Sequence, residues 1–254
     1  MLETFNCINY TEDYGWVINL NGARFYSVYQ SIHRCTGQVY GYEALLRKAA
    51  TLGVEEPGNP FANLTDLEQT TLEFCALIIH LRNFPSYSKT KLFINLSPSI
   101  LMKLVSSEEV MDYLSQTIVK KKLSAGQVCI EVTEQEHEGD LKLACQRCRD
   151  LGLEIAIDDY GDGGSNKERA MQIMPTVLKV SSSLLTRYMK LDRTGLLSAL
   201  ELAQELGSVV IVEGIDSLDK MLAMKKHKID LLQGFYLGFP RDLLTQRELS
   251  HTRL

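Results

Sequence analysis

Short apolar runs alternate with longer stretches of helical period over most of the chain. The first two runs, residues 16–20 and 23–30, are split by Asn21 and Gly22, a pair that accepts the positive φ angles of a tight hairpin turn. Farther on, apolar residues recur at helical spacing in Leu67, Thr71, Phe74, Ile78 and Leu81, and again in Leu196, Leu200 and Ala203. Between these stretches stand runs rich in β-branched and aromatic residues, so the pattern is a β/α alternation. It continues to about the end of the chain without a Pro/Gly/Ser linker. Loops are short except for residues 48–66, KAATLGVEEPGNPFANLTD, a long irregular excursion before the next helix.

Repeated βα units build either an open doubly wound sheet or a closed (β/α)8 barrel. The way the runs end separates the two. VYGYE finishes on Glu43, LFIN on Asn95, VCIE on Glu131, IAIDD on Asp158 and Asp159, VLK on Lys179, VVIVE on Glu213 and LLQ on Gln233. In a closed barrel the C-terminal ends of all strands share one mouth, whereas in an open sheet only strands beside a switch point meet a ligand. The barrel accounts for the whole set. Any one of these residues alone reads equally as the start of a solvated loop or a helix N-cap, and Asn95 as a turn before a helix opened by Pro98.

The set has a chemistry of its own. Carboxylates and an amide oxygen are hard donors suited to Mg²⁺ or Mn²⁺, and adjacent Asp158 and Asp159, which repel when ionised, are stabilised by cations. Lys179 among them can hold a water by hydrogen bonding or, with a lowered pKa, transfer a proton. Two cations close together activate water and stabilise an in-line displacement at phosphorus. A barrel that abstracts a proton α to a carboxylate, with Lys179 as base, is a further reading of the same residues.

Composition narrows the setting. The 254 residues are 45% hydrophobic, enough for one large domain, and carry a formal net charge of −5. Basic residues are scattered apart from Lys120, Lys121 and Lys122 and the later Lys225, Lys226 and Lys228, so no basic stripe points to a nucleic-acid polymer. Cys145 and Cys148 form a C-x-x-C on one helical face with Leu141, Ala144 and Leu151, and read as core rather than as half of a zinc site. The N-terminus lacks the pattern of a signal peptide, and no apolar run reaches the length of a membrane span. The expected compartment is the cytoplasm, with no membrane contact.

Seven ordered motifs give a resemblance: YEALLR, FINLSP, IEVTE, IAIDDYG, LK at Leu178 and Lys179, VEGID, and QGFYLGFP. In that order the chain resembles the EAL domains, bacterial cyclic-di-GMP phosphodiesterases with a modified (β/α)8 TIM-type barrel and two divalent cations. The resemblance implies one α/β domain over residues 24–245, after an extension and first hairpin strand over 1–23 and before a tail over 246–254. It implies metal ligation by Glu43, Asn95, Glu131, Asp158 and Asp159, with Asp158 bridging two Mg²⁺ or Mn²⁺ ions. It implies catalytic work by Lys179, Glu213 and Gln233, cyclic-di-GMP contacts by Arg47, Leu45 and Gln30, and anchoring of the glycine-rich loop by Glu134. A homodimer that couples to this loop, and a possible protein partner, are implied as well.

The chain departs from the family pattern at several points. Ser181 stands where an Asp is usual, and Asp162 and Gly164 alter the glycine-rich loop. Lys48 replaces a Trp, Asp216 a Glu, Ser31 a Pro, and Phe239 a Lys. None removes an expected metal ligand. Because weaker support around ligands lowers activity about 10–100-fold, a catalytically weak receptor or interaction module is the alternative expectation.

Overall fold

The structure is a computed structural model that describes residues 2–49, 59–86, 88–135, 139–229 and 231–243. A 3-10 helix, Leu2–Cys7, leads into β1 (Ile8–Thr11), β2 (Gly15–Leu20), β3 (Ala23–Arg34) and β4 (Val39–Lys48). Then helices and strands alternate: α1 (Asp66–Asn83), β5 (Lys91–Leu96), α2 (Pro98–Ser106), α3 (Glu108–Lys120), β6 (Val128–Val132), α4 (Leu141–Asp150), β7 (Glu154–Tyr160), α5 (Lys167–Ile173) and β8 (Val177–Val180). The order closes with α6 (Ser182–Met189), α7 (Thr194–Leu206), β9 (Val209–Val212), α8 (Leu218–Lys226) and β10 (Leu231–Gln233).

Strands β4 to β10 pair in parallel in chain order, and β3 pairs antiparallel with both β4 and β10. The result is a closed eight-stranded barrel with one reversed strand, the modified (β/α)8 architecture expected from the sequence. The reversal has a local cause. Between β3 and β4 lies only a tight turn, in which Gly37 has φ 89° and Arg34 N–H donates to Gln38 O at 2.8 Å. So short a link can join only antiparallel neighbours, because a parallel crossover needs a dozen or more residues. The preceding hairpin follows the same logic: Asn21 and Gly22 have φ 50° and 73°, and β2 and β1 extend the sheet beyond the start of β3.

Two expectations need correction. Strand β4 does not end at Glu43 but runs to Lys48, because β3 continues to pair with it as far as Phe25 opposite Lys48. Leu67 is exposed rather than core: it sits in the first turn of α1, whereas residues from Leu72 onward are buried on nearly every side. That helix starts at a capping box in which Thr65 and Glu68 satisfy each other's backbone N–H groups. Of the excursion before it, residues 50–58 lie outside the described residues, as does the tail over 246–254. Cys145 and Cys148 are buried on α4, as their spacing predicts.

The end of β10 packs tightly against the segment that follows β9. Gly234 follows β10, and a Cβ there would fall on the main chain of Ile215, whose N–H donates to Gln233 O at 3.0 Å. We expect Gly234→Ala to cost about 3 kcal/mol or more through overpacking against backbone. Gly207→Ala is the control: φ is 69° but nothing lies within 4 Å, so only backbone strain of about 1 kcal/mol is expected. Thermal melts of the two variants should rank in that order; equal shifts would contradict the packing argument.

Candidate functional site

The strand pleat sets two layers inside the barrel. The lower is apolar and comprises Ile32, Phe93, Cys129, Ala156, Val177, Ile211 and Leu231, with Gly41 making room for the Phe93 ring, whose Cε2 lies 2.9 Å from where a Cβ would stand. Because side chains on one face recur every second residue, the next positions toward the mouth form the upper layer. These are Gln30, Glu43, Asn95, Glu131, Asp158, Lys179, Glu213 and Gln233, one from each barrel strand or its end. The alternate residues, such as Ile94, Val132, Ile157 and Val180, point outward and pack under the helices.

Lys179 is the centre of this polar layer and is 1% exposed. Its Nζ lies 2.7 Å from Asp158 Oδ1, 2.7 Å from Glu213 Oε1, 3.0 Å from Glu131 Oε1 and 3.5 Å from Glu43 Oε2. Burial disfavours its charge, but the four carboxylates outweigh that and hold it well above the usual lysine range. A lowered lysine pKa, one of the sequence-based options, is therefore not what these surroundings produce. In this arrangement Lys179 is a hydrogen-bond donor.

The carboxylates divide according to their partners. Burial would raise Glu43, yet Lys179, a 2.5 Å bond from Gln233 Nε2 and a 2.7 Å bond from Asn95 Nδ2 bring it below the ordinary value. Burial pushes Glu131 and Glu213 well above the carboxylate range, with neighbouring carboxylates adding to the effect and Lys179 opposing it. Asp158 is raised to about 6 by the same burial, and Asp159 is raised too, though a hydrogen bond with Glu213 draws it part of the way back.

Consecutive strand residues normally face opposite sides, yet Asp158 and Asp159 meet one cluster. The register of β7 against β8 shifts between Ile157 and Tyr160, and Asp159 takes a left-handed φ of 46°. This bulge turns the second carboxylate back toward Glu213. The paired aspartates that stand out in the sequence are thus reconciled by backbone geometry.

The donor set fits a hard divalent cation. Asn95 Oδ1, Glu131 Oε2 and Gln233 Oε1 are buried without a hydrogen-bond donor, while Glu131 Oε1 has only the Lys179 ammonium at 3.0 Å; a buried oxygen left so is costly unless another partner is supplied. All are oxygens, matching the preference of Mg²⁺ or Mn²⁺. Among the described residues, no three Asp, Glu, His or Cys side chains converge on a preformed metal-binding group. Here the carboxylates close instead around the one ammonium.

The glycine-rich loop docks on Glu134 through the main chain: Gly164 N–H donates to Glu134 O at 3.0 Å, and Gly163 packs against the Glu134 stem. The carbonyl bond does not depend on the Glu134 carboxylate. Two departures from the family pattern also meet here. Ser183 Oγ donates to Asp162 Oδ1 at 2.6 Å and lies 2.9 Å from Ser181 Oγ, while Ser181 caps α6 and its N–H donates to Tyr160 O. Asp162 thus ties the loop to the start of α6.

Beside the polar layer opens a cavity of about 450 Å³ lined by Gln30, Glu43, Glu213, Gln233, Phe235 and Lys220, among others. Gln30 Nε2 donates to Gly238 O at 3.1 Å, and its Oε1 lies 3.3 Å from Gln233 Nε2. Leu45 and Arg47 share the Glu43 face of β4 but lie outside this cavity; Leu45 packs on Val28 and Arg47 donates to Leu46 O. Sequence reasoning missed Lys220, Ser182 and Thr186, which also line it. The signal for Lys220 was its position four residues after Asp216, to which it is bonded at 2.7 Å.

A family model described as the EAL domain matches residues 18–240. The cyclic di-GMP phosphodiesterase PdeF of Escherichia coli K12 is 30% identical over 166 residues, covering 63% of this chain and 22% of PdeF. A standalone EAL protein from Vibrio cholerae O395, solved with cyclic di-GMP, superposes with a TM-score of 0.74 at 21% identity, over 85% of this chain and 92% of that one. Klebsiella pneumoniae BlrP1, solved as a manganese and cyclic di-GMP complex, gives 0.74 at 25% identity over 89% and 58%. The chain spans about a quarter of the length of the first curated relatives it matches. Among the described residues no helix is long and apolar enough to cross a membrane.

The raised carboxylates make a signed prediction. Asp158 moves from 3.8 to about 6, so the metal-free folded state binds its proton more tightly than the unfolded chain does. That contribution to stability is present below about pH 3.8 and is lost as pH rises through about 6. A cation needs the deprotonated oxygens and reverses the trend. The difference in Tm between Mn²⁺ and EDTA should therefore grow from pH 5 to pH 7, and calorimetry in buffers of different ionisation enthalpy should show proton release on Mn²⁺ binding at pH 6. A pH-independent difference without proton release would refute this.

Proposed function

The chain belongs to the EAL domain family, and from that premise we propose that it is a metal-dependent phosphodiesterase that opens cyclic di-GMP to the linear dinucleotide. The observation that carries this reading is the cluster of buried carboxylate and amide oxygens at the barrel mouth, of which Asn95 Oδ1, Glu131 Oε2 and Gln233 Oε1 have no hydrogen-bond donor. In this reading Glu43, Asn95, Glu131, Asp158 and Asp159 hold two divalent cations, Mg²⁺ or Mn²⁺, which supply the charge that acidifies water and offsets that of the phosphate.

The chain's own groups do the rest. Lys179, kept protonated, has its three N–H donors on Asp158, Glu213 and Glu131; an N–H released when those carboxylates ligate metal would orient the attacking water. Glu213, whose proton affinity burial raises, accepts the proton that this water loses. Gln233 has committed Nε2 to Glu43 and offers Oε1 as an acceptor. Water oxygen bonds to phosphorus, the bond to the ribose 3′ oxygen breaks, and that oxygen takes a proton from solvent while Glu213 later returns its own to solvent.

A second reading, a receptor that binds the dinucleotide with little turnover, draws on Ser181 and on the carboxylates being closed around an ammonium instead of a preformed metal group. One assay separates the two. Incubation with cyclic di-GMP and Mg²⁺ or Mn²⁺, followed by chromatography, should yield the linear dinucleotide. Lys179→Met and Glu213→Gln should lower kcat at least about 100-fold, and Ser183→Ala, which cuts the tie to Asp162, about 10-fold. Micromolar binding with no linear product, under conditions in which PdeF turns over, would favour the receptor.

A further inference from the structure

We propose that Cys7 and Cys75 form a thiol–disulfide modification site, closed by a small-molecule disulfide of the glutathione type. Their sulfurs lie 3.3 Å apart although the residues are 68 positions apart in sequence. Cys7 ends the N-terminal 3-10 helix and Cys75 lies in the middle of α1. Both belong to an apolar cluster with Ile18, Phe25, Leu72 and Ile79, outside the barrel and apart from the polar layer.

The pair is asymmetric in the way exchange chemistry requires. Cys75 is buried and Cys7 is half-buried. Because Cys7 is the sulfur that an outside disulfide can reach, it is the attacking sulfur and buried Cys75 the resolving one; the contact with Cys75 also lowers the Cys7 thiol to about 7. The C-x-x-C motif behaves in the opposite way: Cys145 and Cys148 are buried and pushed up to about 12 by burial. The redox pair is the one that the fold assembles.

The chemistry balances in two exchanges. Cys7 thiolate attacks one sulfur of the oxidant, forming a mixed disulfide and releasing one thiolate. Cys75 then loses its proton, attacks the Cys7 sulfur and releases the second. The protein gives up two electrons and two protons, and the oxidant leaves as two thiols. The new bond ties the N-terminal helix to α1, whose far end holds β3 through His80 and Ser27 at 2.8 Å and β2 through Asn83 and Trp16 O at 2.8 Å.

The test treats the reduced full chain with oxidised glutathione, counts thiols, and maps peptides by mass without reductant. Of the six cysteines, two should be lost to a single Cys7–Cys75 linked peptide, with reversal by dithiothreitol. Closing so long a loop should raise Tm by about 10 °C. Cys75→Ser should stop at a mixed disulfide on Cys7, and Cys145→Ser with Cys148→Ser should leave the linkage intact. Retention of all six thiols, a Cys145–Cys148 linkage, or a mixed disulfide on Cys7 that never resolves in the unsubstituted chain would overturn the proposal.

Discussion

The Lys179 ammonium, enclosed by Asp158, Glu131, Glu213 and Glu43, is the interaction on which the barrel mouth depends. A charged group this deeply buried is tolerated only with paired, well-placed partners. Here the imbalance runs the other way: with Asp159 there are five carboxylates and one ammonium, so charge remains to be neutralised by protons or by cations. The raised proton affinities of Glu131, Asp158, Asp159 and Glu213 are the protonic solution. The orphaned oxygens of Asn95 and Glu131 are what makes the cationic one available.

The barrel makes that imbalance sustainable through its pleat. The apolar layer from Ile32 to Leu231 excludes water from below, while the layer above is polar all round. A one-residue slip in any strand would send its polar side chain outward under the helices and an apolar one into the site. Register is therefore what the outward-facing residues, such as Ile94 and Val132, enforce by packing. The bulge at Asp158 and Asp159 breaks the rule once, where both carboxylates are needed on the same side.

Much of this was legible from strand-end residues, because a parallel strand reaches the mouth at its C-terminal end and its polar terminus is visible in the sequence. Gln30 could not be found that way. It comes from β3, which runs in the opposite direction, so its residue in the polar layer lies mid-strand among buried neighbours. Glu43 was found for a partly mistaken reason, since β4 continues past it. Leu67 misled because periodicity cannot tell which turn of a helix projects past its sheet. Cys7 and Cys75 were illegible for a simpler reason: their contact is a product of tertiary folding, with no local spacing to announce it.

The departures from the family pattern illustrate how such non-local contacts change what a substitution means. Taken singly, Ser181 is a lost carboxylate and Asp162 an added charge in a flexible loop. In the fold they are two ends of one hydrogen-bonded path through Ser183, and the carboxylate has in effect moved from the strand side to the loop side. A glycine-rich segment has little stiffness of its own, so its shape beside Asp159 is imposed by such ties: Asp162 to α6 on one flank, and the Glu134 carbonyl to Gly164 on the other. Both therefore bear on the backbone that turns Asp159 toward Glu213, and Asp162 adds a negative charge that raises the Asp159 proton affinity.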